Sequence, residues 1–143
     1  MDPHPHILIV QGDVRSLDHG ADVLRSGEFQ VTVVTDGTEM QRLLSFGNVD
    51  VLIVDITRPC SDAASCWRQP CSAGSPPVIL LAAPGCEPGA IDALQAGAAD
   101  YINKPFSGRE LLARVRGLLR RSREARAIAE AADSTAQTGW RAQ

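Results

Sequence analysis

No apolar run in this chain of 143 residues approaches the roughly 18 needed to cross a bilayer, which excludes a helical membrane span, and no membrane partner is expected. The opening Met1-Asp2-Pro3-His4 has no basic segment of the kind that begins a signal peptide, so a cytoplasmic location is expected. There is no excess of basic residues either. A net charge of −3 argues against a nucleic-acid footprint over the whole domain and leaves DNA contact to a segment outside this chain. Cys60, Cys66, Cys71 and Cys86 follow no common zinc spacing, and in a cytoplasmic chain they are expected to be free thiols. His4, His6 and His19 do not pair with them at a recognised spacing and are expected at the surface. No glycine-rich dinucleotide loop follows the first strand-like run, and no internal repeat is present.

What remains is 44% hydrophobic and 22% charged, enough for one packed domain with a short appendage. Short β-rich runs alternate with stretches of helical period, the pattern of βα units around a parallel sheet. The strands are expected at residues 6–10, 30–35, 51–54, 78–83 and 101–102. A first helix, with Asp13 able to cap it, turns Leu17, Ala21 and Leu24 to one side and stops at Gly27. A second spans 38–46, with Met40, Leu43 and Leu44 inward. The proline-rich stretch 57–77 leaves room only for a short helix near 62–69. A further helix over 87–96 puts Ile91 and Leu94 on one side, and Gly97 ends it. Ser107 caps the strongest helix, which presents Leu111, Leu112, Val115, Leu118 and Leu119. The division expected is a domain over 1–121 and, over 122–143, a helical extension fraying into a linker or tail.

Parallel strands deliver their C-terminal ends to one sheet edge, where doubly wound sheets bind ligands. The residues arriving there are Gln11-Gly12-Asp13, Asp36, Asp55, Ala82-Ala83 and Asn103-Lys104-Pro105. Carboxylate and ammonium thus converge. Lys104 stands out because the other thirteen basic residues are arginines; a compact, strongly hydrated point charge occurs only at this strand end. Beside Asp55 it suits a phosphoryl or other anion contact.

These residues resemble the receiver domain of bacterial two-component response regulators, most closely the branch with winged-helix DNA-binding effectors. Val51-Leu52-Ile53-Val54-Asp55, with Pro59 four residues on, looks like the phosphoacceptor segment. The run from Gly97 to Phe106, followed by Arg109-Glu110-Leu111-Leu112-Ala113-Arg114, is the most specific match, and the likeness covers about residues 6–121. It implies an α/β, flavodoxin-like (CheY-like), doubly wound five-stranded parallel sheet of order 2-1-3-4-5 with helices on both faces. It implies Asp55 as phosphoacceptor, Lys104 as phosphoryl contact, Tyr101 as aromatic switch and a cis bond between Lys104 and Pro105. A sensor histidine kinase is the implied partner. So is a homodimer through the helix before the fifth strand, that strand and the last helix, using Asp100, Glu110, Arg114 and Arg121.

The departures carry as much information. Gln11 and Gly12 occupy the positions of the family's acidic pair, leaving Asp13, Asp55 and the Thr57 carbonyl as metal donors. A phosphorylated Asp55 would carry roughly −1.5 to −2 charge, and Mg²⁺ normally neutralises it through carboxylates and phosphate oxygens, so weak Mg²⁺ binding is expected. Ala82 replaces the hydroxyl residue that senses the phosphoryl group, a loss of about 1.5–3 kcal/mol of charge-assisted hydrogen bonding. Tyr101, with no hydroxyl to follow, is expected to stay fixed. On the dimer face Ala90 and Ala99 stand where a basic and an acidic partner are usual, so only Asp100 with Arg114 survives as a complete pair. With no acidic pair beside it, Asp55 can pair stably with Lys104, and the domain can rest in one conformation without a phosphoryl signal.

The expectation is therefore an atypical receiver, with weak or absent phosphorylation, regulating transcription through an effector domain not in this chain. Two alternatives stay open: a conventional receiver in which Asp13 restores Mg²⁺ binding, and a stand-alone interaction module. An enzyme is not expected, because aspartate-nucleophile phosphatases use a second carboxylate two residues after the nucleophile, and that position is Thr57.

Overall fold

The computed structural model describes residues 4–10, 18–56, 76–82, 91–92, 94–95 and 97–138. Five strands, β1 (His6–Val10), β2 (Gln30–Val34), β3 (Val51–Ile56), β4 (Val78–Ala82) and β5 (Asp100–Asn103), form one all-parallel sheet of order β2-β1-β3-β4-β5. The register runs from His6 opposite Gln30 and Ile7 opposite Val51 to Leu52 opposite Val78 and Ile79 opposite Asp100. This is the doubly wound order that the likeness implies.

Alternation along the strands feeds two cores. Leu8, Val10, Leu52, Val54, Leu80 and Ala82 meet Met40, Leu43 and Leu44 of α2 (Gly37–Ser45) on one face. On the other, Ile7, Ile9, Val51, Ile53, Ile79 and Leu81 meet α1 (Asp18–Ser26) and α3 (Gly108–Thr138). Every residue of β4 is buried, as a strand covered on both faces requires.

Several local expectations shift. β3 runs to Ile56 because Asp55 and Ile56 still pair with Leu81 and Ala82; a charged residue ends the hydrophobic run without ending the strand. The left-handed residue after α1 is Glu28 (φ 70°), whereas Gly27 serves close approach: a Cβ there would lie 2.8 Å from Leu112 Cδ1. Gly47 (φ 75°) follows the C-terminal end of α2 in the left-handed conformation that glycine favours. His6 is half-buried rather than a plain surface residue, its ring reaching Thr32 Oγ1 at 2.7 Å and the Asn48 carbonyl at 3.1 Å. Residues 91–92 and 94–95 are helical, but Leu94 packs inward while Ile91 is 49% exposed. α3 runs unbroken from Gly108 to Thr138, through the 121/122 boundary and along the helical extension expected after it. The short helix near 62–69 and the four cysteines lie outside the described residues.

Candidate functional site

Asp55 stands near the C-terminal end of β3 with its side chain fully buried. One strand over, Ala82 closes β4 opposite Asn103 of β5, and the Lys104 N–H donates to the Ala82 carbonyl at 2.8 Å. Lys104 therefore starts two strands from Asp55, roughly 10 Å at ordinary strand spacing, and its flexible stem crosses the end of β4. Its ammonium contacts Asp55 Oδ1 directly, with the lysine side chain 16% exposed. The small Ala82 side chain is fully buried beside this crossing. The Lys104–Pro105 bond is cis.

The structure thus brings together Asp55, Ala82 and Lys104. Asp36 does not join them: its carboxylate accepts the Glu39 N–H at 2.7 Å and caps α2. Tyr101 packs half-buried against the α2-side core, and its N–H donates to Asp100 Oδ1 at 2.9 Å. Gln11, Gly12, Asp13, Thr57 and Ala90 lie outside the described residues.

On the outer side of β5, Arg114 donates to Asp100 at 2.6 Å and to Glu110 at 3.3 Å, so these charges are paired within one chain. The hydrogen bond to Asp100, more than any other contact, raises the Arg114 pKa above the usual arginine range. Arg121 turns back to the Gly117 carbonyl of its own helix at 3.3 Å, and Ala99 is exposed. The sequence does not place Phe29 in one groove with the arginines of α3. Their helical spacing is readable, but the turn that meets them depends on how α1 packs against α3.

A buried aspartate at the end of β3, a lysine reaching it from the end of β5 and the 2-1-3-4-5 order define a receiver-type α/β module. The family model for the response regulator receiver domain matches residues 7–116, and the chain belongs to that family. Among curated relatives it is similar to the sensory transduction protein RegX3 of Mycobacterium bovis, at 36% identity over 115 residues, covering 80% of this chain and 51% of the relative. It is also similar to the regulatory protein VirG of Agrobacterium tumefaciens, at 37% over 120 residues, covering 83% and 45%. The chain therefore spans about half the length of these curated relatives. Among solved structures, a Francisella response regulator receiver domain superposes with a TM-score of 0.72 at 30% identity, covering 83% of this chain and 99% of that one. A Clostridium thermocellum receiver domain gives 0.75 at 22% identity, covering 85% and 98%.

Receiver domains typically bind Mg²⁺ at the phosphorylation site. Among the described residues, the carboxylate at this point is that of Asp55, already against an ammonium, and no group of three His, Cys, Asp or Glu is placed to hold a metal. These donors do not by themselves make a Mg²⁺ site. Among the described residues no helix is long and apolar enough to cross a membrane.

Proposed function

We propose that this chain is an atypical receiver whose resting state is held by the Asp55–Lys104 ion pair, with weak or absent phosphorylation. It transmits its state to an effector domain that controls transcription. The observation that carries the reading is the direct contact of the Lys104 ammonium with a fully buried Asp55, beside an Ala82 that offers no hydroxyl. Phosphoryl transfer would require the Asp55 oxygen to leave that ammonium and attack phosphorus while the donor's bond to phosphorus breaks, P–N in a phosphohistidine and P–O in acetyl phosphate. The product would then gather charge where the sequence has Gln11 and Gly12 instead of carboxylates.

The module acts as a signalling element and not as an enzyme, since Thr57 offers no acid or base to hydrolyse an aspartyl phosphate. Its upstream partner is a sensor histidine kinase. Its self-partner is a second copy, through the face carrying Asp100, Glu110, Arg114, Arg121 and the exposed Ile91. DNA is reached through the effector alone, and the setting is cytoplasmic.

The test is intact-mass measurement after incubation with acetyl phosphate, with and without Mg²⁺, alongside Asp55→Asn. The expected result is little phosphoryl adduct, indifferent to Mg²⁺. Rapid Mg²⁺-dependent labelling that Asp55→Asn abolishes would establish the conventional receiver instead.

A further inference from the structure

At the sheet end remote from Asp55, an open groove of about 510 Å³ separates the α1–β2 turn from α3. Its apolar floor is Pro5, Phe29 and Leu119, and Arg116, Arg120 and Arg123 stand along one wall. Spacings of four and three residues put the three arginines on one face of α3, within about 10 Å of helix axis. All three are exposed. The ion pairs among the described residues use Arg25, Arg42, Lys104 and Arg114, and none uses these three. In a chain of net charge −3, three exposed guanidinium groups beside the half-buried Pro5 and Phe29 form a local surface of opposite sign.

We infer that this groove docks an acidic amphipathic helix of a partner protein. Its carboxylates would meet Arg116, Arg120 and Arg123, and its apolar side chains would rest on Pro5 and Phe29. Charge complementarity selects that occupant. Arginine presents a planar fork suited to carboxylates, and a helix in a groove supplies acidic and apolar groups at matching intervals. Glu28 and Glu124 also line the groove, and they oppose a uniform polyanion such as a nucleic-acid backbone or an anionic lipid surface. A peptide can place neutral residues opposite them. This surface lies apart from the Asp55 pocket, so the inference stands whether or not Asp55 is phosphorylated.

The experiment uses the full chain and a fluorescein-labelled peptide of about twelve residues, with leucine at helical spacing and glutamate elsewhere, read by fluorescence anisotropy. The expected result is saturable binding, weakened about tenfold by Arg116→Glu with Arg120→Glu, the loss that two solvent-exposed ion pairs would bring. Phe29→Ala should weaken it as well. Arg109→Glu, a single charge reversal on the same helix outside the groove, and Asp55→Asn should leave it unchanged. Should the double reversal fail to fold by circular dichroism, Arg120→Gln at its exposed site gives the same reading with a smaller loss. Absence of saturable binding would overturn the inference, as would an equal loss with Arg109→Glu. So would equal or tighter binding of a DNA duplex or of phosphatidylglycerol vesicles, or a self-association in sedimentation that the Arg116 and Arg120 reversals abolish.

Discussion

Lys104 and Gly108 sit four residues apart and are constrained for different reasons. Lys104 neutralises a carboxylate whose side chain is fully buried, and removing one partner of such a pair leaves the other charge stranded. Lys104→Met should therefore lower unfolding stability in urea by about 3–5 kcal/mol, while Asp55→Asn combined with Lys104→Met should recover part of that loss. Gly108 is constrained by space. A Cβ there would lie 2.6 Å from Val23 Cγ2, and a β-branched valine in a helix has little rotamer freedom with which to retreat. The Cβ of an alanine at position 27 would meet Leu112 Cδ1 at 2.8 Å, the far end of a more adaptable side chain. Gly108→Ala should thus cost about 1–3 kcal/mol and Gly27→Ala less, with Val23→Ala relieving the first and not the second; urea titration of the three single and two double variants checks this.

Whole elements were legible where one physical requirement dominated them. Val51–Val54 and Val78–Ala82 read as strands because a sheet covered on both faces needs unbroken hydrophobicity, and both are buried throughout. Ser107 read as a cap, and its hydroxyl accepts the Glu110 N–H at 3.1 Å. The meeting of Asp55 and Lys104 was legible from strand ends combined with a family likeness; composition alone pointed only to the lysine. What escaped depended on packing between distant segments. Ile91 and Leu94 share a helical face in sequence, yet only Leu94 finds the core, and Gly27 looks like a helix stop until Leu112 is seen against it. The helix formers after Ser122 already suggest that the last helix extends, whereas the polar residues from Asp133 onward do not fix its end, which lies at Thr138. Among the described residues its buried contacts end at Leu119, and the exposed residues described beyond it contribute helix without core. Truncation after Glu124 should accordingly lower the far-UV circular dichroism signal while moving the thermal midpoint by no more than a few degrees, because solvent-exposed segments contribute little to global stability.

Taken as a whole molecule, the sheet separates two electrostatic ends: the buried Asp55–Lys104 pair at one, the arginine-walled groove at the other. On the proposed function, the resting state at the first end follows from a shortage of negative charge. Among the described residues one carboxylate and one ammonium meet there, a pair close to neutral that by itself makes no strong demand for a divalent cation. Restoring carboxylates by Gln11→Asp with Gly12→Asp should reverse that balance. The like charges would draw Mg²⁺, compete with Asp55 for Lys104 and leave the Asp55 oxygen freer to attack a phosphoryl donor. Acetyl phosphate labelling read by intact mass should then rise about tenfold or more over the natural sequence, the rate factor of a single charge-assisted contact, and should become Mg²⁺-dependent. Adding Ala82→Thr to that background tests the second missing part. A hydroxyl at the end of β4 could follow the phosphoryl group and, through the Ala82–Asn103 register, disturb β5 and Tyr101. Amide chemical shifts recorded with beryllofluoride should spread to Asp100, Tyr101 and Arg114 in the triple variant and stay near Asp55 in the double. Equal spread in both would show that the route from the pocket to the outer face of β5 does not pass through the residue at position 82.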